Sequence, residues 1–294
     1  TIGGSTIISS NKAESSSGTT YGGGVHINGS GSTLTVTGSA EIKGNTADMG
    51  GGIGVSGAQF IMSGGTIGGT ELDANKAGLF GGGVHIEGGS GHTMSGGASI
   101  TGNKADGSSS SNGGGGGIYV NGASFTMEGG TISNNYSWLN DGGGVFITGT
   151  PGHSFTMNAG DIIGNSNANG KGGGVYVSGA TFTMNGGNIN GDGKRNAYEG
   201  GGVYIYGGDG HTMGGTASIT GNLGVKHGGG MYLYLSDNGS FTMSGGASIT
   251  ANTANGVGGG GVCGGGIYVK RGTLSGVTEG GNVAGNSRDD IIYE

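Results

Sequence analysis

Gly22-Gly23-Gly24-Val25-His26-Ile27 joins a run of glycine to a short stretch in which every second residue is apolar. The element returns with its first apolar position at Ile53, Val84, Ile118, Val145, Val175, Val203, Met231 and Ile267, at intervals of 28, 31, 34, 27, 30, 28, 28 and 36 residues. Two more signatures follow it in constant order. One alternates about a threonine, or about Ile61 in one copy: Leu34/Val36, then Phe60/Met62, Phe125/Met127, Phe155/Met157, Phe182/Met184 and Phe241/Met243. The other is an isoleucine followed by an asparagine, as in Ile42/Asn45, Ile100/Asn103, Ile132/Asn135, Ile219/Asn222 and Ile249/Asn252. Each is too short, and too strictly alternating, for a helix, and each suits a strand with one buried face. Three strands per period of roughly 30 residues, separated by Gly-, Ser- and Asn-rich turns, describe one coil of a parallel β-helix. The expected fold is an all-β, single-stranded parallel β-solenoid of about nine to ten coils, one domain over residues 1–294.

Composition agrees. Glycine supplies 83 of 294 residues with a single proline, Pro151. Collagen would need a strict three-residue period and abundant proline, and glycine-rich disorder would not return apolar residues to fixed places. The net charge of −7, with 11 Lys and Arg spread thinly, leaves no basic stripe for phosphates, so neither nucleic acid nor an anionic membrane surface is an expected partner. No apolar run approaches the ~20 residues of a membrane-spanning helix, and no signal peptide opens the chain. Cys263 is the only cysteine, which excludes an internal disulfide.

Stacking turns recurrence into columns. Val25 and Ile27, Phe60 and Met62, and Ile42 each head an inward column. The methionines at 62, 94, 127, 157, 184, 213 and 243 are read as flexible filling for a narrow core rather than soft-metal ligands. The asparagines at 11, 45, 75, 103, 135, 165, 222, 252 and 286 are read as turn residues whose amides stack. One coil carries Asp192 at that corner instead. The glycine triplets allow a tight corner or close backbone approach, and without a following helix they are not phosphate loops.

With these elements in place, the repeats resemble those of chlamydial polymorphic outer-membrane proteins and related autotransporter-type β-helices, which carry a GG-apolar-apolar element and an FxxN element. Here the first occurs nine times, and the second survives as Phe155–Asn158 and Phe182–Asn185. The resemblance covers nearly the whole chain. It implies a right-handed parallel β-helix, export to the cell surface, and adhesive or structural roles; the membrane-embedded C-terminal barrel of that family is not visible in the sequence.

Several function classes remain to be weighed. Polysaccharide-cleaving β-helices need converging carboxylates with Lys, Arg or Ca²⁺ on neighbouring coils. The nearest clusters, Asp192/Lys194/Arg195/Glu199 and Arg288/Asp289/Asp290, read more simply as solvated loops, so no catalytic activity is expected. His92 and His211 stand in the phenylalanine column several coils apart, facing inward with a hydrogen bond or tipping out. His26 and His85 are separated by a coil bearing Gly54. No metal site and no cofactor is expected.

The outward position of the glycine strand reads His26, Gly54, His85, Tyr119, Phe146, Tyr176, Tyr204, Tyr232 and Tyr268, with Tyr206 and Tyr234 as a second short column. These eight residues from Tyr119 onward, Tyr206 and Tyr234 included, are the expected interaction surface: an aromatic stripe on a solvent-facing sheet, for self-association, a host or cell surface, or a glycan. Stacking that only supports the strands is the alternative. The threonine column, Thr35, Thr93, Thr126, Thr156, Thr183, Thr212 and Thr242, interrupted by Ile61, gives ice binding as a third class. At the ends, Thr1-Ile2-Gly3-Gly4 reads as the equivalent of Thr66-Ile67-Gly68-Gly69, and Asp289 to Tyr293 stand where a glycine strand is due. Uncapped ends would favour end-to-end continuation into a fibre.

Overall fold

Alternation places Val25 and Ile27 on one face of a strand and His26 on the other, and the same logic repeats in every coil. A computed structural model describes residues 1–107, 113–138, 141–192, 195–256, 263–278, 282–287 and 289–294. Over these residues the chain is an all-β parallel solenoid whose one short helical element is a 3₁₀ turn at Glu71–Asp73. The glycine strands, from Val25–Asn28 to Ile291–Tyr293, form a ten-stranded sheet. The threonine-centred strands, Thr33–Val36 to Thr273–Ser275, form a nine-stranded sheet, and the isoleucine strands, Ile7–Ser9 to Val283–Ala284, another of ten. Every neighbour in the ladders is parallel, and repeat positions pair in register, as in Val84↔Ile118 and Phe155↔Phe182, with a shift where Tyr234 pairs with Arg271.

The structure adds a fourth, shorter strand after the asparagine corner. It forms a five-stranded sheet from Thr46–Met49 to Ser166–Asn167 and a three-stranded one of Arg195–Glu199, Leu223–His227 and Thr253–Ala254. This segment lies hard against the glycine triplets. A Cβ on Gly51 would stand 2.5 Å from the Lys76 carbonyl, so only hydrogen fits. The first glycine of each triplet turns the corner at positive φ, as Gly50 does at 65°. Asp289 takes that position before the last glycine-type strand at φ 50°, so Ile291–Tyr293 joins the sheet without its glycines.

The interior is the expected one. Phe60, Phe125, Phe155, Phe182 and Phe241 are fully buried together with the methionine, isoleucine and valine columns. Each such side chain withdrawn from water contributes roughly 1.5–3 kcal/mol. His92 and His211 face inward. Their ladder pairing with the preceding phenylalanine strand is broken, and Nδ1 of each accepts the amide of Phe60 or Phe182, at 3.2 and 3.1 Å, that would otherwise be orphaned. Nε2 then donates to the carbonyl of Gly88 or Gly207.

The asparagines form a buried hydrogen-bonded column. Asn135 Nδ2 donates to Asn165 Oδ1 at 3.0 Å and to the Ile100 carbonyl at 2.9 Å, while its Oδ1 accepts both the backbone amide and Nδ2 of Asn103. Where Asp192 was expected at the corner, the structure differs. Asn196 reaches back, donating to the Asn165 carbonyl at 3.0 Å and accepting the Leu223 amide at 2.8 Å. Its Oδ1 fills the space a Cβ on Gly191 would need, at 2.2 Å.

One alignment is corrected at the start of the chain. Ile2 bridges Val36, at the end of the threonine-centred sheet, and Ile8 pairs with Ile42, whose other neighbour is Ile67. Ile8, not Ile2, is therefore the equivalent of Ile67. The 3₁₀ turn inserted after Gly68 lengthens the path from Ile67 to Asn75 and made the wrong isoleucine look equivalent.

Candidate functional site

The outward side chains of the glycine sheet do form a column, and it is closed rather than open. Centroids of His85 and Tyr119 lie 5.3 Å apart, Tyr119 and Phe146 5.0 Å, Phe146 and Tyr176 4.6 Å, Tyr176 and Tyr204 5.3 Å, Tyr204 and Tyr232 4.7 Å, and Tyr232 and Tyr268 5.0 Å, all stacked. Tyr204 is 2% exposed and Tyr119 and Tyr176 8%. Tyr176, Tyr204, Tyr232 and Tyr268 make a second apolar cluster with Phe146, Tyr234 and Ile292 packed against it. The expectation of a solvent-facing stripe from Tyr119 to Tyr268 is thus corrected: rings in register cover one another's faces, and their edges are covered too.

In several coils the cover comes from the residue just before the glycine triplet. Phe80 lies 4.4 Å from Tyr119, the Lys171 ammonium 4.9 Å above the Tyr204 ring, and His227 4.4 Å from Tyr268. Each leans on the ring one coil further on. At Gly54 the column lacks a ring of its own, and Tyr21 supplies one, stacked on His26 at 5.5 Å and edge-on to His85 at 5.8 Å. Glycine is required there, because a Cβ on Gly54 would lie 2.8 Å from the Gly22 amide nitrogen. Nothing in the repeat pattern marks this covering position. Its occupants Tyr21, Met49, Phe80, Gly114, Asp141, Lys171, Glu199, His227 and Cys263 share no chemistry, although their constant place before the triplet is the signal that would have found them.

Burial governs the titrating groups along the column. The Tyr119 hydroxyl is pushed up to about 12, and those of Tyr176, Tyr204, Tyr232 and Tyr268 are raised further, with the Asp141 and Glu199 carboxylates opposing phenolate formation nearby. Asp141 is itself raised by burial, although it accepts the Lys171 amide at 2.8 Å. His85 is pushed down to about 4 by burial, with His26 adding to the shift. At the far end a cleft of about 480 Å³ is lined by Tyr232, Tyr268, Lys226, Lys270, Glu199 and Glu294 among others. Its charges are engaged, since Glu294 pairs with Lys270 and accepts from Tyr268, and Lys226 approaches Glu199 at 3.8 Å.

Of the expected surface residues only Tyr206 is exposed, at 47%, while Tyr234 and Phe146 are half-buried. Of the two charged clusters, Lys194 and Arg288 lie outside the described residues, as does the Arg195 side chain. Glu199 faces the tyrosine column instead of Asp192, and Asp290 accepts from the Asn286 amide and side chain. The variable spacing of the repeats marks Asp106–Gly116 as a loop bulging from one corner, and its residues 108–112 also lie outside the described residues. Among the described residues no group of three or more His, Cys, Asp and Glu side chains could hold a metal ion, and no helix is long and apolar enough to cross a membrane.

These features define a parallel β-solenoid of roughly 30-residue coils, braced inside by apolar and amide columns and outside by an aromatic one. The chain matches no family model, no curated protein and no solved structure.

Proposed function

We propose that this chain is an extracellular structural or adhesive β-solenoid without catalytic activity. The observation that carries the reading is that its chemistry-bearing repeats stack on their own copies: asparagine on asparagine and ring on ring. Such columns stiffen a rod and leave the outward threonine and serine positions as regular polar faces, for example Thr126↔Thr156↔Thr183. The resemblance to chlamydial and autotransporter-type repeats supports export to the cell surface.

The test is protease shaving and membrane-impermeant labelling of intact producing cells, followed by attachment assays with protein-coated beads. Surface labelling with bead attachment is the expected result; protein found only inside shaved cells overturns the reading. Its non-catalytic part is tested separately: turnover of pectin or alginate that is lost in Glu199→Gln would overturn it.

A further inference from the structure

We infer that the corner beside Tyr206 is a binding site for a neutral glycan, which rests on the exported, adhesive reading for its biological setting. Tyr206 ends the strand Val203–Tyr206 and is in register with Ser178 on one side and Tyr234 on the other. One side of it is backed by a fixed, tilted ring. The Tyr234 ring lies 5.2 Å away, and the Arg271 guanidinium sits 4.8 Å over Tyr234, pinned by Asp237 at 2.5 Å and the Leu235 carbonyl at 2.7 Å. On the other side its neighbour is only Ser178, and the ring is 47% exposed, so it is open to a ligand while held in place before one arrives.

The corner that the chain enters directly after Tyr206, at Gly207 and Gly208, is recessed. The turn after Ser178 has two residues, 179–180, while the turns in the flanking coils have five, 149–153, and four, 207–210. A short turn between longer ones leaves a cleft of about 430 Å³, lined by Pro151, Gly179, Thr181, Gly207, Asp209 and Ser236 among others. That volume lies within the range of small-ligand sites.

The chemistry fits a pyranose. Its C–H face packs on an aromatic ring, and its edge of hydroxyls needs mixed donors and acceptors. Thr181 and Ser236 supply hydroxyls. The Asp209 carboxylate is oriented by the Ser240 amide and Oγ, both at 2.9 Å, and by the Gly210 amide at 2.6 Å. Arg271 and Asp237 neutralise each other, so no free cation selects an acidic sugar. A protein partner would need a broader apolar patch than one exposed ring.

The experiment titrates the whole chain with cellohexaose, chitohexaose and mannohexaose, read by saturation-transfer NMR and calorimetry. At least one should bind, with Tyr206→Ala weakening it about tenfold or more and Tyr206→Phe keeping it. Tyr293→Ala, exposed elsewhere, should change nothing. No binding of any of the three at millimolar concentration, undiminished binding in Tyr206→Ala, or equal loss in Tyr206→Phe would overturn the site. Failure of surface labelling would leave this titration intact, so the two readings fail separately.

Discussion

Two columns run along the rod, and each is interrupted once and repaired from out of register. The asparagine column loses its corner residue at Asp192, and Asn196 reaches in from further along the chain. The aromatic column loses its ring at Gly54, and Tyr21 folds over from the preceding segment. The repairs differ in kind. The amide column accepts another amide, because a regular position such as Asn135 must supply both a donor to the isoleucine carbonyl and an acceptor for the preceding coil's asparagine, and Asn196 likewise donates and accepts at once. The aromatic column accepts His85, Phe146 or Tyr176 alike, because it needs a flat ring of the right thickness. One column is specified by hydrogen-bond pattern and the other by shape.

Shape-specification is tested most severely by changing Tyr176, Tyr204 and Tyr232 together. Replacement by Ser removes three buried rings, each costing about 3 kcal/mol with strong coupling between neighbours, so the glycine sheet of those coils should lose amide protection in hydrogen exchange. Replacement by Phe should cost no more than about 1 kcal/mol per position. If the Ser variant keeps full protection and loses only surface attachment, the column is a contact surface after all.

The amide column predicts the reverse tolerance. Asn135→Ala leaves the Asn103 backbone amide and the Ile100 carbonyl without their partners and takes one acceptor from the Asn103 side chain, a loss on the order of 3 kcal/mol. Asn135→Asp should be nearly as harmful, since a carboxylate cannot donate to Ile100. Denaturant melts resolved coil by coil through hydrogen exchange would show it, and a neutral Asn135→Asp would break the comparison.

How much of this was readable before the fold was known follows the same division. Columns made of one residue type announced themselves: the phenylalanines, methionines and asparagines stand where alternation and spacing placed them. The aromatic column was visible as residues, but its burial was not. The cover is a single position of mixed chemistry, and the fourth strand that delivers it is only two to five residues long, too short to show a period. Asn196 was hidden because its role depends on a backbone detour, and Ile8 because an inserted turn favoured the wrong alignment.

Acid should separate the columns further. His85 is 1% exposed, its Nδ1 has no hydrogen-bond partner among the described residues, and it is faced by Tyr21, Tyr119, His26 and, 3.8 Å from Nε2, Glu87. Glu87 favours the charged form, but burial prevails and holds the folded value near 4 against 6.5 for the ordinary side chain. Between those values the unfolded chain carries the extra proton. Stability is therefore complete above about pH 6.5 and falls by on the order of 3 kcal/mol as pH drops toward 4. His92 and His211 shift in the same direction and add to the loss. His85→Phe, which keeps the ring, should flatten this part of the profile in melts from pH 7.5 to 4.5; an unchanged slope would remove His85 as its source.

The smallest effect is the most discriminating. Tyr21 is half-buried and contributes one stacked and one edge-on contact, so Tyr21→Ala should cost only about 1 kcal/mol at neutral pH. Yet Tyr21 is also part of what keeps water from His85. Without it the imidazole should titrate closer to its ordinary value, and the acid loss should shrink although the protein is slightly less stable to begin with. NMR titration of the His85 ring in both proteins reads this directly. A raised His85 value in Tyr21→Ala means the out-of-register ring seals the column at Gly54. An unchanged value, with the same loss of stability, would mean that Tyr21 only packs beside His26 and that the aromatic column begins at His85.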